Sequence, residues 1–186
     1  MVAKFLPRVI RLVQLGLAIA CCAALQQTVL ASPFGEGVFG ADVPFGGATS
    51  LSIALGGNVS FSLTPSGANF TGTGSHTITV TSTDVVGYKL YVYSTAGTTM
   101  ANGSDTIPAS SNTSPGPLAV NSWGYNTDGS SNFVGMTTVP AVIKTATGPF
   151  KSGDNTTVTY GVLTDIAKSS GAYTATVTYI GVGLTD

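Results

Sequence analysis

From Leu51 onward, apolar and polar side chains alternate in short runs. Leu51, Ile53 and Leu55 alternate with Ser52 and Ala54, and beyond Gly56-Gly57-Asn58 the pattern resumes with Val59, Phe61 and Leu63 against Ser60 and Ser62. Side chains two apart share one face of a strand, so this stretch predicts a hairpin or two consecutive strands. Pro65 to Gly74 reads as a turn region. Thr77 to Ser82 then sets Ile78 and Val80 against threonines, whose β-branching favours extended backbone while the hydroxyl tolerates water. Thr83 to Gly87 turns the chain into Tyr88-Lys89-Leu90-Tyr91-Val92-Tyr93, where Tyr88, Leu90 and Val92 are expected in the core and Lys89, Tyr91 and Tyr93 outside it.

Thr95 to Pro117 is the stretch richest in Gly, Ser, Asn and Pro, and it reads either as a functional loop or as cover for a short strand around Thr106 and Ile107. Leu118 to Tyr125 predicts a strand carrying the only tryptophan, Trp123, and Asn126 to Asn132 a turn. Weaker extended character follows from Val139 to Lys144. Val158, Tyr160 and Val162 alternate within Thr156 to Leu163, and Tyr173, Ala175, Val177 and Tyr179 alternate with threonines in the cleanest amphipathic run of the chain. No window of about eleven residues beyond residue 31 carries a helical stripe. The reading is an all-β fold, an Ig-like β-sandwich of roughly 7–9 strands in preference to a closed barrel.

The first 31 residues follow a different pattern. Lys4, Arg8 and Arg11 precede a run from Leu12 to Leu25 that is apolar apart from Gln14, and Val29, Leu30 and Ala31 place small or modest side chains before Ser32. That order is the layout of a secretory signal with cleavage ahead of Ser32. An uncleaved anchor requires about 20 apolar residues, and lipid attachment at Cys21 or Cys22 is a third reading. Ser32 to Gly47, rich in Gly and Pro with isolated Phe34, Val38, Phe39 and Phe45, reads as a flexible leader. The expected organisation is a signal over 1–31, a leader over 32–47 and a β-domain over 48–186. Localisation is then secreted or at the cell surface, with membrane contact only through the signal. An export product of about 155 residues without cysteine can bury about two-thirds of its unfolded surface and needs no disulfide.

Net charge is −1 with three of the seven basic residues inside the signal, and Lys89, Lys144, Lys151 and Lys168 are dispersed. No nucleic-acid partner is expected from such a distribution. His76, the single imidazole, reads as an exposed residue at the start of a strand. The aspartates Asp84, Asp105, Asp128, Asp154 and Asp165 fall in predicted turns, where a short carboxylate bonds nearby amides. Nothing pairs two acids across a cleft as a glycosidase requires, so no enzyme, no catalytic residue and no cofactor is expected. Asn126, Asp128 and Asn132 present hard oxygens at short spacing. With one acid before Gly129 they read as an Asx turn rather than a calcium loop, and no metal is expected. Asn-x-Ser/Thr triplets at Asn58, Asn69, Asn102, Asn112 and Asn155 are of a kind expected by chance in a chain so rich in Ser and Thr.

Tyr91, Tyr93 and Trp123 have two readings: a contact surface for a sugar or protein, or plugs for the ends of the sandwich core. Leu51, Ile53 and Leu55 form a candidate assembly strand, able to complete its own sheet or to lie along the edge of a neighbouring subunit.

Gly87-Tyr88-Lys89-Leu90-Tyr91-Val92, Ser122-Trp123-Gly124-Tyr125-Asn126 and Gly171-Ala172-Tyr173-Thr174-Ala175-Thr176-Val177-Thr178-Tyr179 together resemble modules of bacterial cell-surface adhesins of Gram-positive and candidate-phylum type. The last run is also similar to closing strands of WxL-type surface domains and secreted pilin-like domains. The resemblance spans Leu51 to Val182. It implies a structural, self-associating subunit of a pilus or coat, whose partners are copies of itself or other surface proteins. The alternative is an adhesion module recognising a glycan or protein. Covalent sorting through a Leu-Pro-x-Thr-Gly-like motif is not expected of a sequence that reaches Asp186 soon after its last strand.

One outcome follows directly from the order of the first 31 residues. Intact-mass measurement of exported protein should give a chain beginning at or near Ser32. A mass that retains Lys4, or one that starts at a lipidated Cys21 or Cys22, would contradict it.

Overall fold

The computed structural model describes residues 49–185. The signal, its cleavage point, Cys21, Cys22 and the leader up to Gly47 lie outside the described residues. Within them the chain is β throughout and contains no helix. The strands are β1 (Ser50–Leu55), β2 (Thr64–Ser66), β3 (Asn69–Thr83), β4 (Gly87–Tyr93) and β5 (Thr99–Asn102). They continue with β6 (Asp105–Pro108), β7 (Ser122–Asn126), β8 (Ala141–Thr147), β9 (Asp154–Asp165) and β10 (Thr178–Leu184). One sheet runs β1-β3-β9-β7 with β2 also on β3, a second runs β10-β4-β8, and β5 pairs β6 in a separate hairpin. Every strand pairing is antiparallel. The chain crosses between the two larger sheets from β3 to β4, from β7 to β8, from β8 to β9 and from β9 to β10, as in an Ig-like sandwich.

The alternation read from the sequence decides which side of each strand faces the other sheet. Ile78 and Val80 on β3, Tyr88, Leu90 and Val92 on β4, and Val158 and Val162 on β9 are buried together with Trp123 and Tyr125 on β7. Each large buried side chain contributes on the order of 1.5–3 kcal/mol, so this layer holds the sheets face to face. Lys89, Tyr91 and Tyr93 point away from it, half-buried on the outer face of β4.

Ten strands are present among the described residues, more than the alternation indicates, because the Gly-, Ser- and Pro-rich stretch after Thr95 holds the β5–β6 hairpin with Ile107 buried on it. Three further expectations are corrected. The segment with Val59, Phe61 and Leu63 does not pair with β1. Instead β3 is long enough to pair with β1 over Ile78–Thr83 and with β2 over Asn69–Thr71. Eight residues, 56–63, must then span the six of β3 from 72 to 77. The surplus breaks register, and the segment lifts off and lays Phe61 across the inner face of β3 above Gly72 and Gly74. A Cβ on Gly74 would sit 2.5 Å from the Phe61 ring and 2.8 Å from Val59, and one on Gly72 would sit 2.7 Å from the Ser62 carbonyl. For the same reason Pro65 to Gly74 is mostly strand rather than turn, with the reversal confined to Gly67 and Ala68. At the C-terminal end, β10 begins only at Thr178, so Tyr173 to Val177 of the Tyr173–Tyr179 alternation lie outside any strand.

Glycine also sets the closest approach of the two sheets. Leu51 and Ile53 of β1 pack onto Gly181 of β10, where a Cβ would meet both side chains at 2.9 Å. At the opposite edge of the first sheet, the loop after β7 folds back over the outer face and seats the buried Phe133 on Gly161, whose Cβ would fall 2.5 Å from the ring. A polar tie joins the sheets as well. Asp154, at the start of β9, accepts from the Lys144 ammonium at 2.6 Å and from the Tyr88 hydroxyl at 2.8 Å. Burial works to raise this carboxyl, but the hydrogen bonds from Lys144 and Tyr88 and the Lys144 charge outweigh it and hold it below the usual range.

Replacing Gly161 with Val should displace the Phe133 ring and cost about 1–3 kcal/mol, read as a lower urea midpoint. Thr157→Val, on the exposed face of the same strand, should stay within about 0.5 kcal/mol. Equal effects of the two substitutions would contradict the close-packing role given to Gly161.

Candidate functional site

Where Leu51 and Ile53 press on Gly181 the sandwich is shut, and below that point its two edges part. One edge continues from Leu55 into the lifted segment 56–63, and the other is the stretch 171–177 that leads into β10. Between them lies a groove of about 660 Å³ that adjoins a second hollow of about 450 Å³, with Val59, Phe61, Met100, Val162, Tyr173 and Thr174 lining both. Ile107 and Trp123, buried residues of the core, help to form its floor. The cleft is thus a place where the apolar layer between the sheets is reached from outside.

Both walls have the composition of strands without the ladders. Among the described residues, no backbone-to-backbone hydrogen bond involves 58–63. On the other wall, between 172 and 177, Thr174 alone makes such bonds, exchanging both with Ala101 of β5 at 3.0 Å. Buried backbone donors and acceptors are almost always satisfied by protein or water, so these walls expose pairing capacity beside an apolar floor. The far mouth carries Asp165 and Lys168, the latter with its ammonium 6.0 Å from the centre of the Tyr173 ring.

The near end is polar. His76 is not an exposed strand-start residue: β3 begins seven positions earlier, and the imidazole is half-buried on the strand's inner face opposite Tyr179. Its Nδ1 lies 3.0 Å from the Gly57 carbonyl and therefore donates, which leaves Nε2 of the neutral ring to accept from the Tyr179 hydroxyl at 2.9 Å. Tyr179 in turn shares a hydrogen bond with Tyr160. The Tyr160 hydroxyl completes the chain Tyr160 to Tyr179 to His76 to Gly57, which ties β9, β10, β3 and the lifted segment together at one point. Burial pushes the Tyr160 phenol up to about 12, against the lowering effect of the bond to Tyr179. Burial also raises Tyr179, reinforced by its neighbour Tyr160.

The three aromatic residues singled out from the sequence are separated. Trp123 is 2% exposed and its indole N–H donates to the Thr98 carbonyl at 3.0 Å, so it packs in the core and presents no outer surface. Tyr91 and Tyr93 lie on the outer face of the β10-β4-β8 sheet, where Tyr91 stands between Ile180 and Val142, both exposed. Leu51, Ile53 and Leu55 belong to β1 and pair with β3 of their own chain from Ser50↔Thr83 to Leu55↔Ile78. They complete this sheet rather than being held out for a neighbour. Asn126 and Asp128 build the Asx turn read from the sequence: the Asn126 amide donates to the Ser130 and Asn132 carbonyls, and the Asp128 carboxylate accepts from the Ser130 N–H at 3.0 Å. Asp154 differs from the turn role expected of it, since its partners are Lys144 and Tyr88.

Sequence reasoning missed the cleft because its lining comes from segments far apart in the chain. The available signal was that two clean alternating runs, 59–63 and 173–177, flank Gly-rich stretches and therefore compete for neighbours. No family model, characterised protein or solved structure matches this chain. The site therefore has to be read from its own geometry. Among the described residues no three His, Cys, Asp or Glu side chains converge, and what the cleft presents is apolar surface between two strand-like walls.

The buried phenols give a measurable pH dependence. Tyr160 holds its proton from its ordinary value of 10.0 up to about 12 when folded, whereas the unfolded chain releases it near 10. The folded state thus binds more protons in that interval, and stability should be unaffected by this group below about pH 10 and fall from there towards pH 12. Thermal melts of wild type and Tyr160→Phe between pH 8 and 12 should show a shallower decline in the variant. Parallel curves would remove Tyr160 as the group responsible.

Proposed function

We propose that this protein is a secreted, surface-located structural subunit that associates with copies of itself, and that the cleft is where association takes place. One observation carries the reading: an apolar floor lies between two wall segments of strand-like composition, of which 58–63 makes no backbone-to-backbone bond and 172–177 makes one pair. An extended peptide satisfies such a site in two ways at once, through main-chain hydrogen bonds along the walls and through alternate side chains against the floor. Small ligands need a few fixed polar groups for orientation. Of the titratable side chains here, His76 is committed to Tyr179 and Gly57, and Asp165 to Asn121.

Adhesion is the second reading, and the outer face of the β10-β4-β8 sheet favours it. Tyr91 there lies among Ile180, Val142 and Val182, of which the last two are 50% and 45% exposed. Contiguous apolar surface of this kind marks contact sites for other molecules.

Ala175 separates the two. It lines the cleft and is exposed, so Ala175→Arg obstructs the cleft without disturbing the core. The mature protein should form oligomers that grow with concentration in light scattering behind size exclusion. Ala175→Arg should abolish them with an unchanged melting temperature, while Tyr91→Ala should leave them intact. Wild type that stays monomeric throughout, or assembly lost in Tyr91→Ala and kept in Ala175→Arg, would refute the cleft reading.

A further inference from the structure

We infer that the segment seated in the cleft is Phe39–Phe45 of a second copy of this chain. The inference rests on the self-association reading above and names the part of the neighbour that carries it.

The cleft itself states what its occupant must be. The wall from Gly171 to Val177 is seven residues long, and an extended strand of seven residues covers about 23 Å. Side chains facing the floor, made by Met100, Ile107 and Val162, have to be apolar at every second position. Those between them have to be small or polar, because they emerge towards solvent. Within the described residues the alternating runs are already accounted for, as ladder strands or as the walls themselves. Outside them and beyond the expected signal, the sequence holds one run that fits: Phe39, Ala41, Val43 and Phe45 alternate with Gly40, Asp42 and Pro44. Four apolar side chains thereby share one face, and the other face carries a glycine, one charge and a proline that forfeits a single N–H. Gly35, Gly37, Gly46 and Gly47 flank the run and allow it to leave the body of its own domain.

Chain length assigns the run to a neighbour. Thr49 stands at the Thr83 end of β1, where its hydroxyl donates to the Asp84 carbonyl, whereas the cleft opens at the other end, beside Leu55. Six residues of strand separate Thr49 from Leu55, about 20 Å. From Phe45 to Thr49 the chain can span at most about 14 Å. Phe45 therefore cannot enter the cleft of its own domain, and the seven residues cannot seat there together. A second copy meets no such restriction. Each subunit then offers one strand and one cleft, a head-to-tail contact that propagates into an open chain. The donor is not Leu51–Leu55, which is paired within its own sheet, but the run just before it.

Complementation of two defects tests this on the mature full-length protein. Val43→Arg spoils the donor face and leaves the cleft whole, while Ala175→Arg obstructs the cleft and leaves the donor whole. Each variant alone should be monomeric with the wild-type melting temperature, and an equimolar mixture should give dimers and nothing larger, because one intact donor meets one intact cleft. Oligomers of Val43→Arg equal to wild type, with Ala175→Arg still monomeric, would overturn the donor assignment while leaving the cleft as the site of association. A mixture that stays monomeric would overturn it as well. Wild type that never assembles would overturn both the assignment and the reading beneath it.

Discussion

The spacing between two β-sheets is the quantity on which this molecule depends, and glycine sets it. Sheets packed face to face leave about 10 Å for side chains, and here that space is filled by Ile78, Val80, Leu90, Val92, Val158 and Val162, with Tyr88 and Trp123 at its margins. Where β10 carries glycine at 181 and 183, the side chains of β1 come down onto its backbone and the edge is closed. Where β3 carries glycine at 72 and 74, Phe61 occupies the space instead, and the segment bearing it leaves the sheet. The same device thus closes one stretch of the edge and opens the next. A third pair, Gly161 beneath Phe133, gives the first sheet a cover on its outer side.

The cleft is a consequence of that arrangement rather than an addition to it. An edge strand with unpaired donors and acceptors invites pairing with another chain, and soluble proteins usually blunt such edges. In this fold the closed part of the edge is protected by β1, and the open part is fixed in place by the chain of hydrogen bonds from Tyr160 through Tyr179 and His76 to Gly57. A groove held open by such a polar network is preorganised, so an entering segment bears less of the ordering cost. The proposed self-association through the cleft accords with that preorganisation, with the apolar floor and, among the described residues, with a core that involves no cysteine.

The polar groups that first attract notice in the sequence have structural work. Asp154 ties Lys144 to Tyr88 across the sheets, Asn126 and Asp128 fold their own turn, and Asp165 is held by Asn121. Each of these is a short side chain at a strand end, where backbone and neighbouring side chains leave an unsatisfied partner. The cleft is lined instead by ordinary apolar side chains, Val59, Phe61, Met100 and Tyr173 among them, distinguished only by being reachable.

The sequence by itself determined the β-class and the division of faces. Period-two alternation is a local property, and β3, β4 and β9 turn inward the residues that it nominates, Ile78, Leu90 and Val158 among them. The sandwich, the hidden strand at Thr106 and Ile107 and the Asx turn at Asn126 were legible for the same reason, since each depends on neighbours in the chain. Which strand pairs with which was decided by tertiary structure. The runs around Leu55 and Val59 read as a hairpin or as two consecutive strands until β3, long enough for two partners, takes both β1 and β2 and leaves eight residues over a gap of six. Tyr173–Tyr179 reads as the cleanest strand, yet a ladder requires a partner at the right distance, and up to Val177 the groove removes it. His76, half-buried in mid-strand, owes its place to Tyr179, 103 residues away. Backbone pairing and cleft formation are properties of segments brought together over such separations, and alternation along one segment carries no record of what lies beside it.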